Sequence, residues 1–260
     1  MNNKLFNNIC KKIRQRIIKS LYLAEGGHAG PSLSIVEILA YLYFDRKILS
    51  PKKYEKFVLS KGHAAPALYA TLNLAGKLSN KEISSLRKIN SKLQGHPDRK
   101  LVRDIHAGTG ALGQGLSMAI GFAIAEKIKR TNKKSFCIIG DGEMQEGQIW
   151  ESAMYAGASK INNICAILDN NKMQNETYTK STLDIYPIKD KWLAFNWNVY
   201  EINGHSYAQI KNAFSKFYKS KSKPTLIIAN TTKGKGVSFM ENDPSWHSKK
   251  INKDDFERGI

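Results

Sequence analysis

The sequence predicts an α/β protein: a parallel sheet in the middle of three layers, with helices on both faces. Three observations predict it. Helical periodicities alternate with short β-rich apolar runs along most of the 260 residues, and such alternation builds parallel strands joined by right-handed helical crossovers. Some of the runs are apolar throughout, as in Phe136-Cys137-Ile138-Ile139, which fits strands covered on both sides. Polar or glycine-bearing tetrapeptides follow the runs, at the strand ends where sheets of this kind bind ligands.

Taken in order, the first helix is expected over 3–24, where Leu5, Ile9, Ile13, Ile17 and Leu21 recur every four residues. This stretch is basic and lacks acids, like a transit peptide, but its apolar repeat favours a core-facing helix. Further helices are expected over 33–44, 64–76, 80–90, 112–130, 147–160 and 206–219, the last capped by Ser206. Strands are expected at 57–59, 135–139, 163–168, 197–202 and 225–229. No internal repeat or low-complexity linker divides them, so one domain over 1–260 is the simplest reading.

The net charge of +19 invites a nucleic-acid reading. Lysine is spread along the whole chain, however, and no segment interleaves it with exposed aromatics as a single-strand binder would. The basic surface instead suits anionic sugar phosphates, diphosphates or an acidic partner chain. No apolar run reaches the roughly 18 residues of a membrane span. Cys10, Cys137 and Cys165 have neither metal-type spacing nor a pairing pattern, which points to a reducing, cytoplasmic location.

Four strand ends carry the candidate chemistry: Ser60-Lys61-Gly62-His63, Gly140-Asp141-Gly142-Glu143, Asp169-Asn170-Asn171 and Thr231-Thr232-Lys233-Gly234. Asp and Asn oxygens from adjacent strand ends can grip a hard cation such as Mg²⁺, with a diphosphate and water completing its shell. The helix expected from about Gln148 points its N-terminus at the same place, which favours phosphate. The glycine-rich run Gly108 to Gly115 opens a long helix of small residues and permits close approach of a ligand or another backbone. It lacks the acidic residue of a dinucleotide fingerprint.

Gly140-Asp141-Gly142 through Asn171 resembles the thiamine-diphosphate motif. The longer string GDGEMQEGQIWES resembles its transketolase form, as do SKGHAAPALYA, LQGHPD, TGALGQGL and TTKGKGVSFMENDPSWH. These motifs stand in the order found in the transketolase family, from about residue 10 to the C-terminus. The spacing resembles that of split transketolases, in which the diphosphate and pyrimidine domains are separate chains.

The resemblance implies thiamine diphosphate as cofactor, with Mg²⁺ or Ca²⁺ held by Asp141, Asn171 and the main-chain carbonyl of Met173. It places Gly110, Ala111, Leu112, Gly142 and Glu143 against the cofactor, with His63, Lys233 and His247 near it. His28, His63, His96 and His247 match catalytic histidines that hydrogen-bond ketose oxygens and move protons near pH 7. Glu146 and Glu151 match acids that link active sites across a subunit interface; both also suit a helix N-terminus. The implied reaction carries a two-carbon ketol unit from a ketose phosphate to an aldose phosphate. The implied partner is a C-terminal subunit that supplies the pyrimidine-activating glutamate, in an α2β2 assembly. A synthase using the same cofactor, another ketose, or a subunit that binds cofactor without catalysis are the competing readings. Ala29-Gly30-Pro31-Ser32 departs from the Pro-Gly-Gly-Ser more usual in the family, which touches substrate preference. His106 has no counterpart in the family, and His205 reads as part of a turn.

Overall fold

In the computed structural model, which describes residues 1–259, five parallel strands form the central sheet. They are β1 (Lys56–Leu59), β2 (Ser135–Gly140), β3 (Ile164–Asn170), β6 (Asn198–Asn203) and β7 (Thr225–Asn230), in the order β1-β2-β3-β7-β6. The short strands β4 (Met173–Gln174) and β5 (Thr177–Tyr178) make a separate antiparallel hairpin beyond the end of β3. Register aligns the strand ends: Gly140 pairs with Asp169, and Asn170 with Asn230. The four polar segments therefore emerge along one edge.

The all-apolar strands are explained by what lies on each face. Phe57, Leu59, Phe136, Ile138, Cys165, Ile167 and Ile227 point to one core. There they meet α1 (Asn3–Leu23), α2 (Ala29–Leu33), α3 (Val36–Ala40), α4 (Ala65–Leu74) and the short α5 (Asn80–Ser84). Val58, Cys137, Ile139, Ala166, Leu168 and Ile228 point the other way. They meet α6 (Gln114–Ile128), α7 (Gly147–Ala158) and, past the single turn α8 (Thr179–Thr182), α9 (Ile188–Ala194). The helix α10 (Tyr207–Lys219) returns to the first core through Ile210, Phe214 and Phe217, and α11 (Lys253–Gly259) packs on α1. At α7 the approach is closest at Gly157, where an added Cβ would stand 1.7 Å from the Phe195 carbonyl oxygen. No helix among the described residues is long and apolar enough to cross a membrane.

Several local expectations shift. Asn2 caps α1 by accepting the Leu5 N–H, but Leu5 itself is half-exposed and Phe6 and Cys10 are buried instead. A strict four-residue step drifts about 40° per repeat around a helix of 3.6 residues per turn, so five such residues cannot share one face. The helix expected over 80–90 ends at Ser84. Arg87 and Asn90 take left-handed φ of 61° and 63°, and Ile89 is fully exposed, so its apolar spacing marks no buried face. Tyr41–Asp45 winds as a π-turn after α3, and Ser34 and Ile35 separate α3 from α2. The short helices α9 and α11 had too little periodicity to be read.

Candidate active site

The four polar segments converge on a cavity of about 360 Å³. Its floor lies over the ends of β2 and β3, from which Asp141 and Asn171 project. Its walls include His28, Pro31, Lys61, His63, His96, Gly110, Leu112, Lys233 and His247. Gly142, Glu143, Glu146, Met173 and Gln174 complete the lining on the β2 side. Two expected residues lie elsewhere. Ala111 faces a neighbouring groove beside Asp98 and Arg99. Glu151 lies on the outer α6–α7 surface beside Ile124 and Tyr155. The separate cleft between α1, α4 and α5 is lined by Arg16, Lys19 and Asn73 and contains no histidine or carboxylate.

Hydrogen bonds orient the floor. One Asp141 oxygen accepts the Gly142 N–H at 2.8 Å and the other accepts the Lys172 N–H. Burial, then the charge of nearby Asp169, pushes Asp141 up to about 7 and outweighs the nearby Lys61. The Asn171 amide donates to Asp169 Oδ2 at 3.0 Å and accepts the Met173 N–H at 3.0 Å. Asp169 thus fixes which end of the amide is oxygen. Asp169 is the hub beneath the site. It pairs with Lys61 at 2.5 Å and accepts hydroxyl protons from Ser34 at 2.7 Å and from Thr231. Lys61 and Asp169 are both almost fully buried. Burial would raise the Asp169 pKa, but Lys61 outweighs it and holds the carboxyl below its usual range.

Glu143 borders the cavity, yet its oxygens are committed to the protein. One accepts from the Ser60 hydroxyl and the Gly113 N–H, the other from the Gly140 N–H. It ties the ends of β1 and β2 to the start of α6. The glycine-rich run serves similar packing: an added Cβ at Gly115 would meet Ser60 Oγ at 2.4 Å. The close approach there is by protein.

His28, His63 and His247 form a triangle with ring centroids 5.1–5.3 Å apart. Burial, then His96, lowers His28 to about 4. Burial, then Lys233, lowers His247 to about 3, and burial with Lys61 lowers His63 well below its ordinary value. All three rings are therefore neutral near pH 7 in the chain as it stands. Burial first, then the neighbouring charges, favours uncharged imidazoles, each able to donate and accept one hydrogen bond. Lys233 is buried and donates to the carbonyls of Asn175 and Pro244. No carboxylate among the described residues pairs with it. Burial, then Lys61, lowers it to about 8, which leaves it mostly charged at neutral pH. An unpaired buried cation, a buried Asp141 carboxyl whose charge is poorly compensated, and the buried, unpartnered Gln174 Oε1 fit an anionic group carried with a hard cation.

His106 lies near the other end of β1. Its Nδ1 accepts the Phe57 N–H at 3.2 Å and its ring meets Tyr54 edge-on. Burial, then Lys56, lowers it to about 4. In the unfolded chain a histidine titrates near 6.5, so the folded chain binds fewer protons between pH 6.5 and 4. Stability is expected to fall by about 1–3 kcal/mol as pH drops through that window. His106→Gln should flatten this part of a urea-stability profile measured against pH; an unchanged slope would remove His106 as a cause.

The sequence gives Lys61, Asp169 and Pro31 no individual role, although each stands in a segment already singled out, and it does not single out Gln174. Asp169 had a signal, since residues two apart on a strand share a side and Asn171 was already singled out. Lys61 stood inside a recognised motif without a role. Gln174 had no signal.

The sequence model of the family described as transketolase, thiamine diphosphate binding domain, matches residues 6–258. One relative, a subunit of the apulose-4-phosphate transketolase of Phocaeicola vulgatus, is 40% identical, over 91% of this chain and 86% of that protein. The 6-deoxy-6-sulfo-D-fructose transketolase subunit SqwG of a Clostridium species is 38% identical, over 97% and 93%. The crystal structure of transketolase from Campylobacter jejuni superposes with a TM-score of 0.92 at 30% identity, over the whole of this chain and 42% of that one. The chain thus spans about two fifths of the solved transketolase it matches and most of the length of the two subunits. With the glycine–aspartate turn, the asparagine of the next strand and the histidine triangle in one cavity, and with the family match running almost end to end, the chain belongs to the transketolase family as its thiamine-diphosphate-binding domain.

Proposed function

We propose that this chain is the N-terminal subunit of a two-chain transketolase that moves a two-carbon ketol unit from a ketose phosphate to an aldose phosphate. The observation that carries the reading is the cavity: three neutral histidines stand over an Asp141–Asn171 floor beside the unpaired cation Lys233. Thiamine diphosphate, when bound, supplies the carbanion that holds the ketol unit. The residues of this chain bind, orient and exchange protons around it. Asp141, the Asn171 amide oxygen and the Met173 carbonyl hold Mg²⁺ or Ca²⁺. Lys233, His63 and the backbone at Gly110, Leu112 and Gly142 hold the diphosphate, whose negative charge raises the pKa of the facing histidines. His28, His96 and His247 hydrogen-bond the hydroxyls and carbonyl of the sugar.

The subunit names of the two relatives support a partner chain. On this reading residues 1–260 form one diphosphate-binding domain, and the partner, in an α2β2 assembly, brings the pyrimidine-activating glutamate. Glu151, on the α6–α7 surface, belongs to the assembly interface in this scheme, and Glu146 connects that surface to the cavity. The two relatives are named for ketoses ending in a phosphate and a sulfonate. A donor with an anionic end suits the basic chain as well, and the enzyme works in the cytoplasm.

The test is to purify this chain with and without the candidate partner and assay ketol transfer from a panel of anionic ketoses, with thiamine diphosphate and Mg²⁺. Activity is expected only in the mixture. Activity from this chain alone would refute the two-chain scheme. Cofactor binding by the mixture without turnover of any ketose would favour a binding-only subunit.

A further inference from the structure

His205 lies outside the cavity, on the turn between β6 and α10. Its Nε2 accepts the backbone N–H of Thr232 at 2.8 Å, so the ring proton sits on Nδ1. Nδ1 donates to Glu37 Oε2 at 3.0 Å. The other Glu37 oxygen accepts from Arg14 Nη2 at 2.6 Å, and Arg14 Nε donates to the Lys235 carbonyl at 2.7 Å. The chain of bonds leaves the segment after β7 at Thr232 and returns to it at Lys235. Between those two points stands Lys233, the unpaired cation of the cavity. Glu37 is buried; burial would raise its pKa, but the bonds from His205 and Arg14 prevail and keep it ionised.

The segment has other ties, including the Thr231 hydroxyl to Asp169 and the Gly234 N–H to the Gly30 carbonyl at 3.1 Å. The backbone N–H immediately before Lys233 has only the imidazole. An apolar side chain at 205 would leave that N–H without its acceptor and one Glu37 oxygen without its donor. Unmade bonds of this kind are costly to both partners.

We propose that His205 is a positioning residue, which with Glu37 and Arg14 fixes Thr232–Lys235 and so aims the Lys233 ammonium at the diphosphate of the cofactor. The identity of that anion rests on the function proposed above; the clamp itself does not. Arg14, Glu37 and His205 come from α1, α3 and the β6–α10 turn, so three elements of the first core set the position of one side chain in the site. Glutamine can replace the ring in kind, because its amide oxygen can accept from Thr232 while its NH₂ donates to Glu37.

The experiment compares wild type, His205→Ala and His205→Gln. Hydrogen–deuterium exchange is followed in a peptide spanning 230–237 of this chain. Affinity for thiamine diphosphate, and for inorganic pyrophosphate, is measured by calorimetry on the chain assembled with its partner and Mg²⁺. His205→Ala is expected to exchange about tenfold faster in that peptide and to bind both ligands about tenfold more weakly, the scale of one lost hydrogen bond. Exchange in β2 and β3 should be unchanged, and His205→Gln should recover both properties. Unchanged exchange at 230–237, a glutamine variant no better than alanine, or faster exchange with undiminished affinity would each overturn the proposal. If wild type itself bound neither ligand, the reading of the cavity would fall and the role assigned to Lys233 with it. The exchange data would then still decide whether the clamp exists.

Discussion

Asp141→Ala is expected to weaken binding of thiamine diphosphate and Mg²⁺ by a hundredfold or more, roughly the upper range for altered metal surroundings, while the metal-free chain stays folded. The two halves of that result have different causes. Asp141 lines the cavity at the end of β2 beside the neutral Asn171, and the oxygens of nearby Glu143 are committed to the protein. Removing Asp141 takes away the anionic donor that attracts a hard cation. The fold survives because the carboxylate is poorly placed without a cation: burial, then the charge of nearby Asp169, raises its pKa to about 7. Losing its bonds to the N–H groups of Gly142 and Lys172 costs about 1–3 kcal/mol, and losing the repulsion from Asp169 offsets part of that. Calorimetric titration with Mg²⁺ and thiamine diphosphate, beside thermal melts of the free protein, reads both halves. Undiminished cofactor affinity would remove Asp141 from the site.

Lys61→Met should have the largest effect on stability. The Lys61–Asp169 pair is the most buried ion pair in the structure, with side-chain exposures of 2% and 1%. Removing one partner of such a pair typically costs about 3–5 kcal/mol, because the other charge is left without compensation. Asp169 would keep its donors Ser34, Asn171 and Thr231, which places the loss nearer the lower figure. That corresponds to a melting temperature lower by on the order of 10 °C for a chain of this size. Replacing both partners, as Lys61→Met with Asp169→Leu, should cost less than the sum of the single changes, since no bare charge remains. Chemical denaturation of the four proteins completes the cycle. Additive losses would mean that the pair does not act as a unit.

The same pair explains how the floor is built. Asp169 faces the side of β3 that Asn171 shares, takes the Asn171 NH₂, and turns the amide oxygen away from itself. Lys61 supplies the charge that lets a carboxylate sit there ionised. It also donates to the Pro31 carbonyl at 3.2 Å, which links α2, where the residues Ala29-Gly30-Pro31-Ser32 lie, to the floor. Gly30 is needed in that helix, because an added Cβ would meet the Trp246 carbonyl at 2.7 Å and the Lys233 side chain at 3.0 Å.

What the sequence determined by itself was the local part. Runs such as Phe136 to Ile139 announced strands buried on both faces, since apolar character at both alternating positions requires cover on both sides. The motifs at their ends announced the chemistry, because a parallel sheet sends all its carboxyl ends to one edge. Only the tertiary structure decided relations between distant segments. It packed His28, His63 and His247 within about 5 Å of one another, and their burial, with the lysines nearby, favours the neutral rings. It directed the oxygens of Glu143 into the protein, put Glu151 on an outer helix face, and made His205 a prop beneath Lys233. Burial, partner and charge at each of these residues depend on neighbours from other elements, and no stretch of sequence around the residue contains them.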